Sequence, residues 1–296
     1  MRDAIAHNSL WLHWRERDVG RQILSATLPL RGRAPDGVSM LADAITIGDV
    51  AVATKRIDVG GQGLRFADAN AGRTLPAGEV HVWRASLERP RQIVERMRRV
   101  LAGDEQRRAD RFRFARDRSR YIVGRALLRG LLAGYLDTAP EGLQFQYGEF
   151  SKPALRGGPW FNVSHSGSIA LYAFSSVGEI GIDVELDDAD FARERIAERF
   201  FSPSEVKVLR SLPADVQPLA FLSCWTRKEA FIKARGDGLS LALDSFDVTL
   251  APDTRAAVLR TAWCSTEASQ WCLEDLSDCR AGYIAAVALR PGQEQR

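Results

Sequence analysis

Two carboxylates separated by one residue carry the clearest chemical signal in the sequence. Asp183 and Glu185 lie in the segment 181–185, where strict alternation predicts a β-strand with these carboxylates on one face and Ile182 and Val184 on the other. Two carboxylates about 7 Å apart on one face repel each other unless a cation lies between them. Oxygen ligands on a rigid strand suit Mg²⁺, which also accepts substrate phosphates. An isolated pair of this kind is more often a solvated strand face, so its surroundings must decide.

A third carboxylate, Glu229, lies in a segment that predicts a helix over 218–235, ended by Gly236. Trp225, Glu229 and Lys233 are spaced by four residues and therefore share one side of this helix. One interpretation is an ordinary surface Glu–Lys pair, worth only tenths of a kcal/mol. The functional interpretation makes Glu229 a third metal ligand, with Lys233 one turn further on to hold phosphate.

A histidine between two hydroxyl residues follows the predicted strand 160–163. The segment 164–167 predicts a turn, and His165, flanked by Ser164 and Ser166, is well placed there to donate to a phosphate oxygen. A Ser-His-Asp triad using Ser164 is not favoured. Adjacent residues do not ordinarily present nucleophile and base to each other, and no G-x-S-x-G elbow occurs at this position.

Charge is distributed unevenly along a chain whose formal net charge is +3. Many arginines lie between 84 and 129, whereas 179–190 is acidic. A basic half facing an acidic strand suits an anionic ligand held partly by arginine and partly through a metal. A nucleic-acid surface is the competing interpretation, but no RNP aromatic strand or paired zinc cysteines supports it. Most of these arginines are expected to be solvated, with a few near the start of the helix predicted around 122–135 gripping phosphate.

Composition indicates a globular protein, with 45% apolar and 27% charged residues. The four cysteines show no C-x-x-C spacing, and free thiols fit a reducing cytoplasm. No apolar run reaches a membrane-spanning length, and the N-terminus has no apolar signal region. A cytoplasmic location without membrane contact is therefore expected.

The order of predicted elements divides the chain. Residues 79–176 and 177–290 each give a strand, helices and further strands, which indicates an α+β fold of two similar halves with the ligand site in the cleft between them. The first half would supply Arg, Lys and His, and the second the carboxylates. Residues 1–78 form an N-terminal extension without assigned function, with possible strands at 44–47 and 50–52, and 291–296 form a tail. The glycines at 60–63 lack the context of a phosphate loop.

Three motifs together resemble one family, the Sfp-type 4′-phosphopantetheinyl transferases. They are Asn162-Val163-Ser164-His165-Ser166, Gly181-Ile182-Asp183-Val184-Glu185 and Trp225-Thr226-Arg227-Lys228-Glu229-Ala230-Phe231-Ile232-Lys233-Ala234. Their order and spacing match the family over roughly 78–289, and three separate motifs make the resemblance specific. The segment 1–77 lies outside it.

The resemblance implies a pseudo-twofold α+β monomer that moves the phosphopantetheine arm of coenzyme A to a serine of an apo acyl or peptidyl carrier protein and releases 3′,5′-ADP. Such an enzyme is a holo-[carrier-protein] synthase of fatty acid, polyketide or nonribosomal peptide biosynthesis. It also implies the following site residues: Asp183, Glu185 and Glu229 for Mg²⁺; His165 and Lys233 for the phosphates; Ser164 lining the same site; and Lys152, Arg108 and Arg120 for the nucleotide.

Catalysis in such a site is mostly positioning and electrostatic stabilisation. Glu229, or a metal-bound water that it orients, is the first candidate for the base that takes the serine proton, and neutral Lys233 is the second. Two other hypotheses remain. A Mg²⁺-dependent nucleotide phosphohydrolase would need no protein acceptor, and a coenzyme A-binding module would transfer nothing.

Overall fold

Two β-sheets pack face to face, and each carries helices on its outer face. This architecture is that of a computed structural model. The structure describes residues 44–47, 50–56, 75–148, 150, 152–187, 196–252, 254–276 and 282–292. The glycine-rich segment 60–63 lies outside these residues. None of the described helices is long and apolar enough to cross a membrane.

The first sheet has five strands in the order β1-β2-β3-β7-β6. Strand β2 pairs parallel with β3, while β3–β7 and β7–β6 are antiparallel. The strands are β1 Ala44–Ile47, β2 Val50–Arg56, β3 Glu79–Ser86, β6 Trp160–Ser166 and β7 Ile169–Ser175, and a short hairpin of β4 Gln146–Tyr147 and β5 Pro153–Ala154 precedes β6. The strands predicted at 44–47 and 50–52 are confirmed, so the first sheet reaches into the predicted extension.

Three helices follow β3: α1 Arg91–Arg98, α2 Gly103–Asp110 and α3 Ala115–Leu136. The last of them contains the helix predicted around 122–135. The buried side of α3 packs on one face of the first sheet and forms the core of this half.

The second sheet has the order β11-β12-β8, with both pairs antiparallel. Its long helix α6 runs Gln217–Arg235 and ends at Gly236, whose φ of 83° is the left-handed cap that glycine tolerates best. The remaining elements are β8 Gly178–Leu186, α4 Ala197–Phe200, α5 Pro203–Ser211, β9 Phe246–Val248, β10 Val258–Thr261, β11 Cys272–Asp275 and β12 Tyr283–Pro291. Strands β9 and β10 form a separate antiparallel pair.

Strand β8 is buried on both faces because it lies between the first sheet and α6. Ile180, Ile182 and Val184 join the apolar layer between the sheets. The alternate residues Gly181 and Asp183 therefore face α6. The solvated strand face, which the sequence left open as an alternative, does not occur at Asp183, whose side chain is 1% exposed.

The prediction of a turn at 164–167 is wrong. Strand β6 continues through Ser166, and Ser164 and His165 pair with Leu171 and Ala170 of β7. The reversal is confined to Gly167 and its successor, and Gly167 adopts a φ of 53°, as a two-residue hairpin loop requires. Hydroxyl residues look like turn formers in sequence, but pairing along the sheet holds them extended here.

The buried carboxylate of Glu205 caps the N-terminus of α5 in the second half. Ser202 and Glu205 form a capping box, with the backbone N–H of Glu205 donating to Ser202 Oγ at 3.2 Å. The Nζ of Lys228 on α6 lies 2.8 Å from Glu205 Oε2, and the Lys228 side chain is fully buried. The same amine donates to the carbonyl oxygens of Leu243 and Phe246.

The first half contains a matching arrangement. Glu105 accepts from the backbone N–H of Ala102 at 2.8 Å and from Nε of Arg129 on α3 at 2.6 Å. Arg129 is buried and donates to the carbonyl oxygens of Pro140 and Leu143. In both halves, a cation of the long helix thus joins a helix-capping glutamate to a following turn, as expected for two similar α+β halves. The basic run consequently includes one arginine that is structural.

Among the described residues, Cys224 and Cys264 are free thiols. Cys279 lies outside the described residues.

Candidate functional site

The side chains of Asp183 and Lys233 meet where β8 faces the last turn of α6. The ammonium of Lys233 donates to Asp183 Oδ1. Ser164 Oγ donates to the same oxygen at 2.8 Å and accepts from Lys233 at 3.1 Å. The three side chains come from three different elements, so this contact depends on both halves of the described fold.

A backbone contact brings α6 close enough for this meeting. A Cβ at Gly181 would lie 2.1 Å from the carbonyl oxygen of Ala230 and 2.3 Å from the backbone nitrogen of Ala234. Only glycine leaves room for such an approach. Gly181 thus lets the helix that carries Glu229 and Lys233 pack directly on the strand that carries Asp183.

Burial and mutual repulsion raise the pKa values of the other two carboxylates, those of Glu185 and Glu229. Burial raises the pKa of Glu229 to about 7, with Lys233 lowering it and Asp183 raising it. Burial, followed by the charge of Asp183, raises the pKa of Glu185 to about 8, and Glu229 adds to the rise. Glu185 also accepts from Ser166 Oγ at 3.0 Å. The three carboxylates therefore interact electrostatically, while their convergence on one Mg²⁺, the central expectation from the sequence, stays a prediction.

Lys233 is the one cation in this cluster among the described residues. Burial lowers the pKa of its amine, but Asp183 and then Glu229 raise it by more, so the net shift is upward. The amine therefore stays charged at neutral pH. This disfavours neutral Lys233, the second candidate for the base.

The donor set fits a hard divalent cation. Asp183 Oδ2 is buried and has no hydrogen-bond partner among the described residues. Carboxylate oxygens that repel one another are the ligands that Mg²⁺ prefers. Among the described residues, no three His, Cys, Asp or Glu side chains are arranged so that they could coordinate one metal ion together. Instead, the Lys233 ammonium is hydrogen-bonded to Asp183 Oδ1.

Side chains of β6 accept hydrogen bonds from the backbone of β8 along the edge that does not pair with β12. Asn162, Ser164 and Ser166 alternate along β6 and so point to the same side. Each accepts from one backbone N–H of β8: Ile182 to Asn162 at 2.9 Å, Val184 to Ser164 at 3.4 Å and Leu186 to Ser166 at 3.0 Å. The motif thus joins the two sheets as well as touching the carboxylates. This role was not predicted from the sequence, although the period of two in N-x-S-x-S was its visible sign.

His165, Arg108 and Arg120 belong to elements of the first half. His165 is exposed and, by alternation, lies on the opposite face of β6 from Ser164. Arg120 donates to Glu88 Oε1 at 2.7 Å, and the guanidinium of Arg108 lies 5.6 Å from the ring of Tyr121. The Nε atoms of Arg120 and of Arg118, a residue not singled out from the sequence, are buried without a hydrogen-bond partner among the described residues. These two arginines open α3 and retain capacity to bind an anion.

Lys152 follows the hairpin strand β4 and reaches the second half. Its amine donates to the carbonyl oxygens of Ala234 at 2.9 Å and Ile180 at 3.2 Å. Burial lowers the pKa of this amine to about 8. Its described contacts are thus with the backbone of α6 and β8.

Comparisons with known proteins agree on one family. A model described as "4′-phosphopantetheinyl transferase superfamily" matches residues 179–288, and one described as "4′-phosphopantetheinyl transferase, N-terminal" matches residues 82–176. The chain is 40% identical over 194 residues to 4′-phosphopantetheinyl transferase HetI of Nostoc sp., covering 64% of this chain and 81% of the relative. It is 34% identical over 166 residues to 4′-phosphopantetheinyl transferase Sfp of Bacillus subtilis, covering 55% of this chain and 73% of the relative.

Proposed function

The chain belongs to the 4′-phosphopantetheinyl transferase family, and from this premise we propose that it transfers the phosphopantetheine arm of coenzyme A to a serine of an apo carrier protein. The leaving product is 3′,5′-ADP. The observation that carries the proposal is the buried meeting of Asp183 and Lys233, with the Glu185 and Glu229 carboxylates in electrostatic range.

Asp183, Glu185 and Glu229 would hold Mg²⁺, because they supply hard oxygen ligands and one Asp183 oxygen is buried without a partner among the described residues. When bound, the ion neutralises negative charge on the pyrophosphate of coenzyme A. Ser164 and Ser166 orient this set, since they donate to Asp183 and Glu185 respectively.

Residues of the chain accept the proton of the carrier serine and stabilise the negative charge that develops on the phosphate. The carrier serine Oγ forms a bond to the β-phosphorus of coenzyme A as the bond from that phosphorus to the oxygen of 3′,5′-ADP breaks. A carboxylate oxygen of Glu229 accepts the serine proton, and its raised pKa near neutrality suits that task. The Lys233 ammonium leaves Asp183 Oδ1 for a phosphate oxygen, where it stabilises the developing charge.

The basic first half would bind the nucleotide end of coenzyme A. Arg120 and Arg118 at the start of α3, together with exposed Arg108 and His165, present cations and donors to its phosphates.

One assay tests the proposal. The purified chain is incubated with coenzyme A, Mg²⁺ and a panel of apo carriers from fatty-acid, polyketide and peptide synthases, and intact-mass spectrometry follows addition of the arm to the carrier. We expect 3′,5′-ADP and holo-carrier in equal amounts. Nucleotide release without a carrier would identify a phosphohydrolase, and binding without transfer would identify a coenzyme A-binding module. Size-exclusion chromatography with light scattering tests the expected monomer, and cell fractionation the expected cytoplasmic location.

A further inference from the structure

The amine of Lys152 joins two backbone segments that also frame the carboxylate cluster. Ala234, one of its acceptors, directly follows Lys233 in the last turn of α6. Ile180, the other acceptor, directly precedes Gly181 in β8. The two acceptors thus flank the place where helix and strand touch.

Both carbonyl groups need a partner from outside their own element. The last four carbonyl groups of a helix have no intrahelical donor, and a lysine there also favours the negative end of the helix dipole. Ile180 lies on the same edge of β8 as Ile182 and Val184, whose N–H groups are bound by side chains of β6. Lys152 therefore continues the row of side chains that satisfies this edge.

The stem of Lys152 packs beneath the end of the helix. A Cβ built on Gly236, the left-handed cap of α6, would lie 3.7 Å from Lys152 Cδ. Stem and amine together contact the cap, the last turn and the strand. The geometry leaves no more than one of the three N–H donors of Lys152 for a ligand.

We propose that Lys152 is a positioning residue that holds the last turn of α6, and with it Lys233, against Asp183 on β8. This assignment differs from the nucleotide contact expected for Lys152 from the sequence motif. It rests on the proposed function only for its kinetic readout, since the position of the helix end can be measured without turnover.

The kinetic test compares Lys152→Met with Lys207→Met, which removes the same charge from an exposed site on α5. The donors are coenzyme A and 3′-dephospho-coenzyme A, with an apo carrier that the wild type modifies. We expect Lys152→Met to lower kcat at least tenfold, to change the KM for coenzyme A less than threefold, and to keep the wild-type preference between the donors. Lys207→Met should match the wild type. An unchanged kcat, or a lost preference for the 3′-phosphate, would overturn the assignment.

A second measurement does not depend on activity. Hydrogen exchange is followed in peptides covering the end of α6, where the N–H of Gly236 donates to the carbonyl oxygen of Ile232, and in peptides from α3 as internal reference. We expect Lys152→Met to accelerate exchange at least tenfold at the end of α6 and to leave α3 unchanged. If this variant does not fold, Lys152→Gln replaces it. Unaltered exchange at the helix end rejects the positioning role, whereas a wild type that transfers nothing rejects only the proposed function.

Discussion

Gly181 and Ala230 are in backbone contact: a Cβ on Gly181 would stand 2.1 Å from the Ala230 carbonyl oxygen. That contact sets the distance between the strand of Asp183 and the helix of Lys233. Closely packed backbones cannot yield to an added methyl group as a flexible side chain can.

We therefore expect Gly181→Ala to destabilise the protein by at least about 3 kcal/mol and to abolish transfer, because α6 must move off β8. The control is Gly142→Ala, where a Cβ meets no atom within 4 Å. Urea unfolding followed by circular dichroism measures both variants. Wild-type stability in Gly181→Ala would show that the helix is not seated on the strand as described.

Glu229→Gln keeps the shape of the side chain but removes its charge and basicity. General-base catalysis contributes about 10²–10⁴-fold to the rate, so we expect kcat to fall at least about 10²-fold. Folding is retained, because burial already disfavours the charged form of Glu229. Steady-state transfer kinetics provide the measurement. The exposed Glu141→Gln serves as the matched control. Activity within threefold of wild type in Glu229→Gln would remove this residue from the mechanism.

Mg²⁺ should stabilise the folded chain even without substrate. At about ten times its dissociation constant, an ion that binds only the folded state adds about 1.4 kcal/mol, or about 3–5 °C in Tm. Differential scanning calorimetry with and without Mg²⁺ detects this shift. We expect it to disappear in Asp183→Asn, which loses an anionic ligand, and to persist in Glu141→Gln. Equal shifts in wild type and Asp183→Asn would place the ion elsewhere.

The buried pair Glu205–Lys228 makes a separate prediction about stability. Either Glu205→Gln or Lys228→Met leaves one buried charge without its counter-ion and should cost about 3–5 kcal/mol, whereas the double variant should cost less than the sum. The exposed pair Glu198–Arg210 is the control, and Glu198→Gln should change stability by about 0–1 kcal/mol. Guanidinium unfolding of the four variants measures the coupling, and additive effects would contradict a buried pair.

Lys152 predicts a pH dependence of stability. Burial lowers the pKa of its amine from 10.5 to about 8, so the folded state gives up its proton more readily than the unfolded state. The corresponding stability is present above pH 10.5 and is lost as pH falls through about 8. Relative to Lys152→Met, the wild type should therefore gain about 1–2 kcal/mol between about pH 8 and 9.5. Urea unfolding of both proteins across this range tests it, and a constant difference would mean an unshifted amine.

Local patterns in the sequence determined most elements and the chemistry of the site. Alternation identified β8 with its two carboxylates, Gly236 identified the end of α6, and the four-residue spacing of Glu229 and Lys233 put them on one side of that helix. These features depend on backbone periodicity and capping, which involve neighbours within about four residues. The three motifs were sufficient to indicate the family.

Tertiary structure alone decided which of these groups meet. Lys233 reaches Asp183 across 50 positions of the chain, and Lys152 reaches Ala234 across 82, distances over which no local period carries information. Pairing with β7 also kept His165 in a strand where its hydroxyl neighbours suggested a turn. The physical reason is that burial and backbone hydrogen bonding are satisfied by the whole packed assembly, so the partner of a polar group depends on which edges and helix ends the fold leaves open.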